Sequence, residues 1–164
     1  MIDDGYEQND EQETLCCLAL GFKQQNETYE LTSWEASFSY PNKKIRKLSC
    51  AASIEKYCLT GLTHELLYCK TLEVPVVTYR ITDIPAVRLR LLFHHIPINL
   101  HGMNFICLQQ ILKDYFVLPR RSHNYASITD MAETMNINAT DATSSELLYE
   151  LYVRTLPLLP TRVI

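Results

Sequence analysis

Glycine is scarce in this sequence, with only four in 164 residues, and none lies in a Gly-rich loop that could cradle a phosphate. There is also no Ser-His-Asp or Cys-His pattern with a recognisable local signature. CxxC pairs, the usual mark of a structural zinc site, are missing as well. These absences remove the common sequence signs of a hydrolase, a nucleotide-binding enzyme or a zinc protein. We therefore predict a protein with no enzymatic activity and no cofactor.

Long hydrophobic runs are missing too. The apolar run nearest the start, residues 15–20, is far too short to span a bilayer. The start is acidic and lacks the basic region of a signal peptide, so we expect the six cysteines to be free thiols in a reducing compartment. Cys58, His64 and Cys69 could converge on a metal, but burial as small apolar residues is the better account of the thiols.

Charge is distributed unevenly along the chain. Acidic residues crowd the first thirteen positions, where there is no Lys or Arg. Such a segment cannot bury enough apolar surface to fold, so residues 1–14 are predicted to be an acidic mobile lead. The remainder, residues 15–164, has the length and composition of one globular domain.

The clearest element is a strand over residues 29–40. Trp34, Ala36 and Phe38 alternate with serines and Glu35, which predicts one buried face and one face in water. Residues 15–22 fit either a short buried strand or the end of a helix. Ser49 is placed to cap a helix to about residue 59, and Gly61 is placed to break it before a second helix.

Further strands are expected at residues 76–81 and 87–93, joined by a short turn. Helices follow, with capping-box patterns at Ser127 and Thr143. Because strands and helices come in clusters, the predicted fold class is α+β, with a small antiparallel sheet packed against several short helices.

One feature points to a binding surface. Lys43, Lys44, Arg46 and Lys47 surround Ile45 directly after the strand over residues 29–40, and we name residues 43–47 the basic turn. Its cations would suit the phosphates of a membrane surface or of RNA. A solvated connection that keeps the protein soluble explains the same residues.

Four more arginines could add to this surface. A strand over residues 87–93 would place Arg88 and Arg90 together on its outer side, and Arg120 with Arg121 forms a second exposed basic spot. Tyr115 begins a YxxL pattern of the type used by host sorting or budding machinery, although a helix end packed into the core explains it equally well.

The order of these features resembles the core of rhabdovirus matrix proteins, and the short length resembles the smaller plant-infecting members. The resemblance rests on a strand ending in a basic Asn turn, a small-residue helix, a Tyr-x-x-x-Gly break and an apolar-Tyr-x-x-Leu run. Here these are Phe38, residues 42–46, Ala51 with Ala52, residues 57–61 and residues 67–72.

The resemblance implies a structural protein of the virion that lies under the envelope, and in the host cytoplasm and at its inner membrane face. It would self-associate, bind the anionic membrane, condense the nucleocapsid and contact host factors. An N-terminal segment would dock on a neighbouring copy, with Leu15, Leu18 and Leu20 supplying the apolar contact. The alternative is a small viral accessory protein that binds RNA or a host factor, such as a silencing suppressor.

Overall fold

The protein is built on a five-stranded mixed sheet. The computed structural model describes residues 12–116, 120–121, 124–125, 127–138, 140 and 142–159. The strands run in the order β3-β2-β1-β4-β5, with β1–β2 and β2–β3 antiparallel and with β1–β4 and β4–β5 parallel. Their bounds are β1 Leu15–Gln25, β2 Thr28–Ser39, β3 Ile45–Ala51, β4 Val76–Thr78 and β5 Phe105–Cys107. The α+β class is confirmed, and the two parallel strands make the sheet mixed.

Helices cover both faces of this sheet. Within the described residues they are α1 Glu55–Thr71, α2 Asp83–Phe93, α3 Leu108–Tyr115, α4 Ile128–Thr134 and α5 Ser144–Thr155, followed by a 3₁₀ turn at Leu156–Leu158. A separate two-stranded ribbon pairs β6 Arg120–Arg121 with β7 Asn124–Tyr125. None of the described helices is both long and apolar enough to cross a membrane.

The first core lies between α1 and the sheet. Alternate residues of β2 and β1 stand opposite one another in the ladder, as Trp34 does with Leu20 and Phe38 with Cys16, so they share one face. Against this face α1 places its buried residues, which are Glu55, Cys58, Leu59, Leu62, Leu66 and Cys69. The indole N–H of Trp34 donates to the Cys58 carbonyl oxygen over 3.0 Å, which fixes the helix on the strand.

Gly61 does not break α1. The two short helices predicted around it are one helix of 17 residues, and the prediction of a break was wrong. A Cβ atom at Gly61 would lie 3.3 Å from the Trp34 ring, so the missing side chain lets the helix approach the indole closely. Gly61 is therefore explained by the close packing of α1 on Trp34 and not by the end of a helix.

The second core lies on the other face of the sheet. It joins Cys17 and Val77 to Leu108, Leu148 and other apolar residues of α3, α4 and α5. The side of β2 that was expected in water is covered by α5: Ser37 is 1% exposed, and its hydroxyl lies 2.7 Å from that of Ser145. The alternation was correct, but the polar face is a second helix-packing surface.

Two local predictions changed type. Residues 87–93 form the end of α2, because Val87 and Leu91 lie one turn apart and are buried, while Leu89 is 68% exposed. Alternation of apolar and basic residues fits a strand equally well, and only packing separates the two. Ser49 does not cap a helix, since it lies in β3 opposite Glu35.

Several predictions are confirmed. β2 agrees with the predicted strand to within one residue at either end. For residues 15–22, which the sequence left open between a strand and the end of a helix, the structure shows a strand. Both capping boxes form, at Ser127 for α4 and at Thr143 for α5. Residues 94–102 form a connection without a helix or strand.

The acidic lead is described only from Gln12. Residues 1–11 lie outside the described residues, but Glu13 is buried at 6% exposure and its carboxylate pairs with Arg46 at 3.0 Å. The Tyr68 hydroxyl donates to the same carboxylate, and the Gln12 amide donates to the Leu72 carbonyl oxygen over 2.7 Å. The folded part therefore includes Glu13, which had been assigned to the mobile lead.

Candidate functional site

The basic turn is the tip of the β2–β3 hairpin. The backbone N–H of Lys43 donates to the Tyr40 carbonyl oxygen over 2.9 Å, and the N–H of Tyr40 donates to the Lys44 carbonyl oxygen over 3.0 Å. Lys43 has a φ of 68°, and the Asn42 side chain accepts from the N–H of Lys44. These bonds hold the backbone of the turn and direct it away from both cores.

The four cations of the turn have different surroundings. The side chains of Lys43 and Lys44 are exposed and make no hydrogen bond or ion pair with any residue that the structure describes. Lys47 lies 3.7 Å from Glu146. Arg46 pairs with Glu13 and lies 4.5 Å from the Phe38 ring centroid. The free positive charge of the turn therefore comes from Lys43 and Lys44.

Arg46 is held firmly in its position. Partial burial acts to lower the pKa of Arg46, but the Glu13 carboxylate and Tyr40 outweigh burial, so the pKa is raised. Because its guanidinium already pairs with Glu13 and lies over the Phe38 ring, Arg46 stabilises the hairpin.

The other predicted basic residues do not join this surface as a group. Arg88 is exposed, but Arg90 is only 8% exposed, so placing both outside was wrong. A helix turns successive residues by about 100°, which directs Arg90 inward where a strand would have directed it out. Arg120 and Arg121 form β6, but their side chains lie outside the described part of the chain.

The leucines predicted for self-association are mostly buried in their own subunit. Leu18 is 1% exposed and Leu20 is 9% exposed, and both belong to the first core; Leu15 is half-buried beside the second. β1 is the central strand of the sheet, with neighbours on both edges. Leu18 and Leu20 therefore cannot dock on a neighbouring copy without unfolding the sheet, and that prediction was wrong.

A large cleft opens beyond the carboxyl ends of β4 and β5, beside residues 19–22 of β1. Ligands of open sheets tend to bind in the crevice beyond the carboxyl ends of parallel strands, and this cleft has that position. Its volume is about 1150 Å³. Its lining includes Phe22, Ser49, Arg80, Asp83 and Gln109. Sequence reasoning missed this cleft because its walls come from seven separate parts of the chain, between residues 19 and 144.

The ionised groups of the cleft are already paired. Arg80 donates through Nε to Asp83 over 2.9 Å and through Nη2 to the Leu20 carbonyl oxygen, also over 2.9 Å. Glu35, the other lining carboxylate, accepts from the backbone N–H and the hydroxyl of Ser145. Hydrolysis assisted by metal ions needs free carboxylates that converge, and these two are bound to separate partners.

Four of the six thiols, including those of Cys58 and Cys69, are buried as expected, while Cys50 and Cys107 are partly buried. Cys58 is 0% exposed and Cys69 is 1% exposed. Burial and nearby Cys50 raise the pKa of Cys58 to about 12, so the thiol stays protonated at neutral pH. His64 is exposed on the opposite side of α1, and the described residues contain no group of three His, Cys, Asp or Glu arranged to hold a metal ion.

Tyr115 ends α3, with 46% of its surface exposed. The following residues of the YxxL pattern, 117 and 118, lie outside the described part of the chain. The pattern therefore stays a prediction.

Comparison with known proteins gives a likeness of fold alone. No family model matches this sequence, and no curated protein matches it. Among solved structures, the chain is similar to part of a family B DNA polymerase from the hyperthermophilic archaeon Pyrobaculum calidifontis, with a TM-score of 0.50 and 10% identity. The match covers 76% of this chain and 18% of the polymerase chain. At that identity the likeness concerns the arrangement of strands and helices only.

Proposed function

We propose that the protein is a non-enzymatic binding protein that holds a phosphate-bearing partner at the basic turn. The observation that carries the proposal is the pair of exposed lysines, Lys43 and Lys44, on a turn whose backbone is fixed by hydrogen bonds. A lysine near an anionic lipid surface contributes about 1 kcal/mol, and one near nucleic acid releases a counterion from a phosphate. Both contacts weaken as salt concentration rises.

Two roles fit this chemistry. The first is the matrix-like role, in which the protein lies between an anionic envelope membrane and a viral nucleocapsid and condenses the nucleocapsid during assembly and budding. Its support is the resemblance in sequence around residues 38–72, although Ala51 ends β3 and Gly61 lies within α1. Since Leu18 and Leu20 are buried, self-association in this role has to use a different surface.

The second role is a small accessory protein that binds RNA. It is favoured because the exposed charge is confined to a small area. Lys43 and Lys44, which pair with no residue that the structure describes, lie together at the tip of one hairpin. A narrow hairpin tip can contact the phosphate backbone of a single RNA strand, whereas a flat membrane surface is better matched by charges spread over one face.

The test uses the full chain with Lys43→Glu and Lys44→Glu combined. The matched control combines Lys23→Glu with Lys113→Glu, which makes the same charge change at exposed lysines elsewhere. The probes are a single-stranded RNA, a single-stranded DNA and vesicles of phosphatidylcholine with and without phosphatidylserine, at low and at physiological salt. The DNA is included because the similar solved chain is a DNA polymerase.

We expect the variant at the turn to lose roughly tenfold or more in affinity for the preferred probe, and the control to lose much less. Preference for RNA with a defined small oligomer supports the accessory role. Pelleting with anionic vesicles and salt-sensitive multimers support the matrix-like role. If the folded variant binds every probe as well as the wild type does, the basic turn has no part in binding.

A further inference from the structure

Exposed apolar residues gather at two neighbouring places, the start of α1 and the end of α2. The side chains of the five large residues there are 53–72% exposed; they are Ile54, Tyr57, Leu89, Leu92 and Phe93, and we name them the apolar end. The first turn of α1 and the last turn of α2 are neighbours, because the Glu55 carboxylate binds both Arg90 and His94. Clusters of exposed apolar residues often mark interaction sites.

Phe93 is held in place although 64% of it is exposed. The Arg90 guanidinium lies 4.4 Å from its ring centroid, and the His94 ring meets it edge-on at 5.0 Å. Glu55 fixes both neighbours, accepting from Arg90 Nε at 2.9 Å and lying 2.6 Å from His94 Nε2. An exposed ring that is already ordered loses little entropy when a partner covers it, which is the property of an interface anchor.

The charge around the apolar end is positive. Lys56 and Arg88 are exposed beside it. The nearby acids Glu30 and Glu55 are directed at Arg90, at 3.7 Å and 2.9 Å. A partner that covers this surface is therefore expected to carry carboxylates at its edge.

The same charges decide between occupants. In a symmetric dimer through the apolar end, Lys56 and Arg88 of both copies would lie in one interface, which would gather four positive charges there. A helix that lies in a membrane interface presents an apolar face along its length. Here the apolar row of α2 runs only from Leu89 to Phe93, about 7 Å of helix.

We propose that the apolar end binds an amphipathic helix of a partner protein, one with an apolar row flanked by Asp or Glu. Leu89, Leu92 and Phe93 follow the spacing i, i+3, i+4, which forms the ridge that packs into a groove of a second helix. This surface is separate from the basic turn, and its use does not depend on the function proposed there.

The experiment measures binding of a labelled synthetic helical peptide by fluorescence anisotropy. The peptide carries Leu at positions i, i+3, i+4 and i+7 and Glu along both flanks, and its twin carries Lys in place of Glu. The test variant is Leu89→Ser with Phe93→Ser, and the control is Leu67→Ser with Leu72→Ser, exposed positions toward the other end of α1. A thermal melt of each protein verifies folding, and Lys43→Glu with Lys44→Glu is measured alongside.

We expect the acidic peptide to bind the wild type, the control and the double lysine variant alike, and to bind the test variant at least tenfold more weakly. The Lys twin should bind the wild type at least tenfold more weakly than the acidic peptide. Equal binding of the twins, or of test and control variants, would overturn the proposal. So would a wild-type dimer, or vesicle binding, that disappears in the folded test variant, since either result assigns the surface to another occupant.

Discussion

Glu55 and Asp83 occupy corresponding places and behave oppositely. Each is the first residue of a helix, each is less than 9% exposed, and each faces an arginine. Burial raises the pKa of a carboxyl group in both cases. For Glu55, hydrogen bonds from Arg90, His94 and the Leu31 N–H outweigh burial and lower the pKa. For Asp83, burial outweighs the bonds from Arg80, and the pKa is raised.

The difference shows that the presence of one arginine does not by itself determine whether the pKa of a buried carboxyl group is lowered or raised. The partner of Glu55 is itself buried, with 10% of the Arg90 side chain exposed, so water screens the pair little. The partner of Asp83 is the Arg80 side chain, which is 47% exposed, so water screens the interaction between them. Glu55 therefore ties together β2, α1 and α2, while Asp83 stands in the cleft with weaker support.

Removing Arg90 is the strongest way to break this comparison. Arg90→Ala leaves the Glu55 carboxylate buried without its main partner, and we expect a loss of about 3–5 kcal/mol in the free energy of unfolding. The control is Arg88→Ala, two residues away and exposed, which should change stability by no more than about 0.5 kcal/mol. Urea unfolding measures both. Equal losses in the two variants would contradict the burial of Arg90.

Acid should remove the contribution of Glu55. Its lowered pKa means that the unfolded chain binds a proton more readily than the folded protein does. The stabilisation is therefore complete above the unfolded-state pKa, near 4.3, and is lost as pH falls through the folded pKa. Glu55→Gln should cost more stability at pH 7 than below about pH 4. A cost that stays the same across this range would show that the charge of Glu55 is not what stabilises the fold.

Asp83 should show the opposite sign. Its raised pKa means that the folded protein holds the proton more tightly than the unfolded chain does. The free energy of unfolding therefore falls as pH rises from the unfolded-state pKa of Asp83 through its folded-state pKa. We expect Asp83→Asn to change stability by about 1 kcal/mol or less, and to improve relative to the wild type as pH rises through that window. Unfolding curves at several pH values measure it. A large loss of stability in Asp83→Asn at pH 7 would contradict this, because it would show that the charged form of Asp83 stabilises the fold, as that of Glu55 is expected to do.

Of the two arginines that face the buried carboxylates, Arg80 is expected to matter less. Because nearly half of this side chain is exposed, its ion pair with Asp83 is worth about 1 kcal/mol or less. The melting temperature of Arg80→Ala should therefore stay close to that of the wild type, while Arg90→Ala melts far lower. If both arginines matter equally, exposure does not explain the contrast between the two carboxylates.

Elements that depend only on residues close together in the sequence could be predicted without the tertiary structure. The alternation of Trp34, Ala36 and Phe38 predicted β2, because successive side chains of a strand point to opposite faces. The capping boxes at Ser127 and Thr143 predicted the starts of α4 and α5, since the cap is formed within four residues. The exposure of Lys43 and Lys44 also followed, because a short polar turn has nothing to pack against.

What remained was decided by contacts between distant segments. Residues 87–93 alternate well enough for a strand, and they form a helix because Val87 and Leu91 pack into the first core. Gly61 can end a helix, yet it lies within one because Trp34 needs the space. Arg90 looks like Arg88 in the sequence, and its ion pairs with Glu55 and Glu30, 35 and 60 residues earlier, hold it inside. Each outcome depends on a partner far away in the chain, and therefore only the tertiary structure determines it.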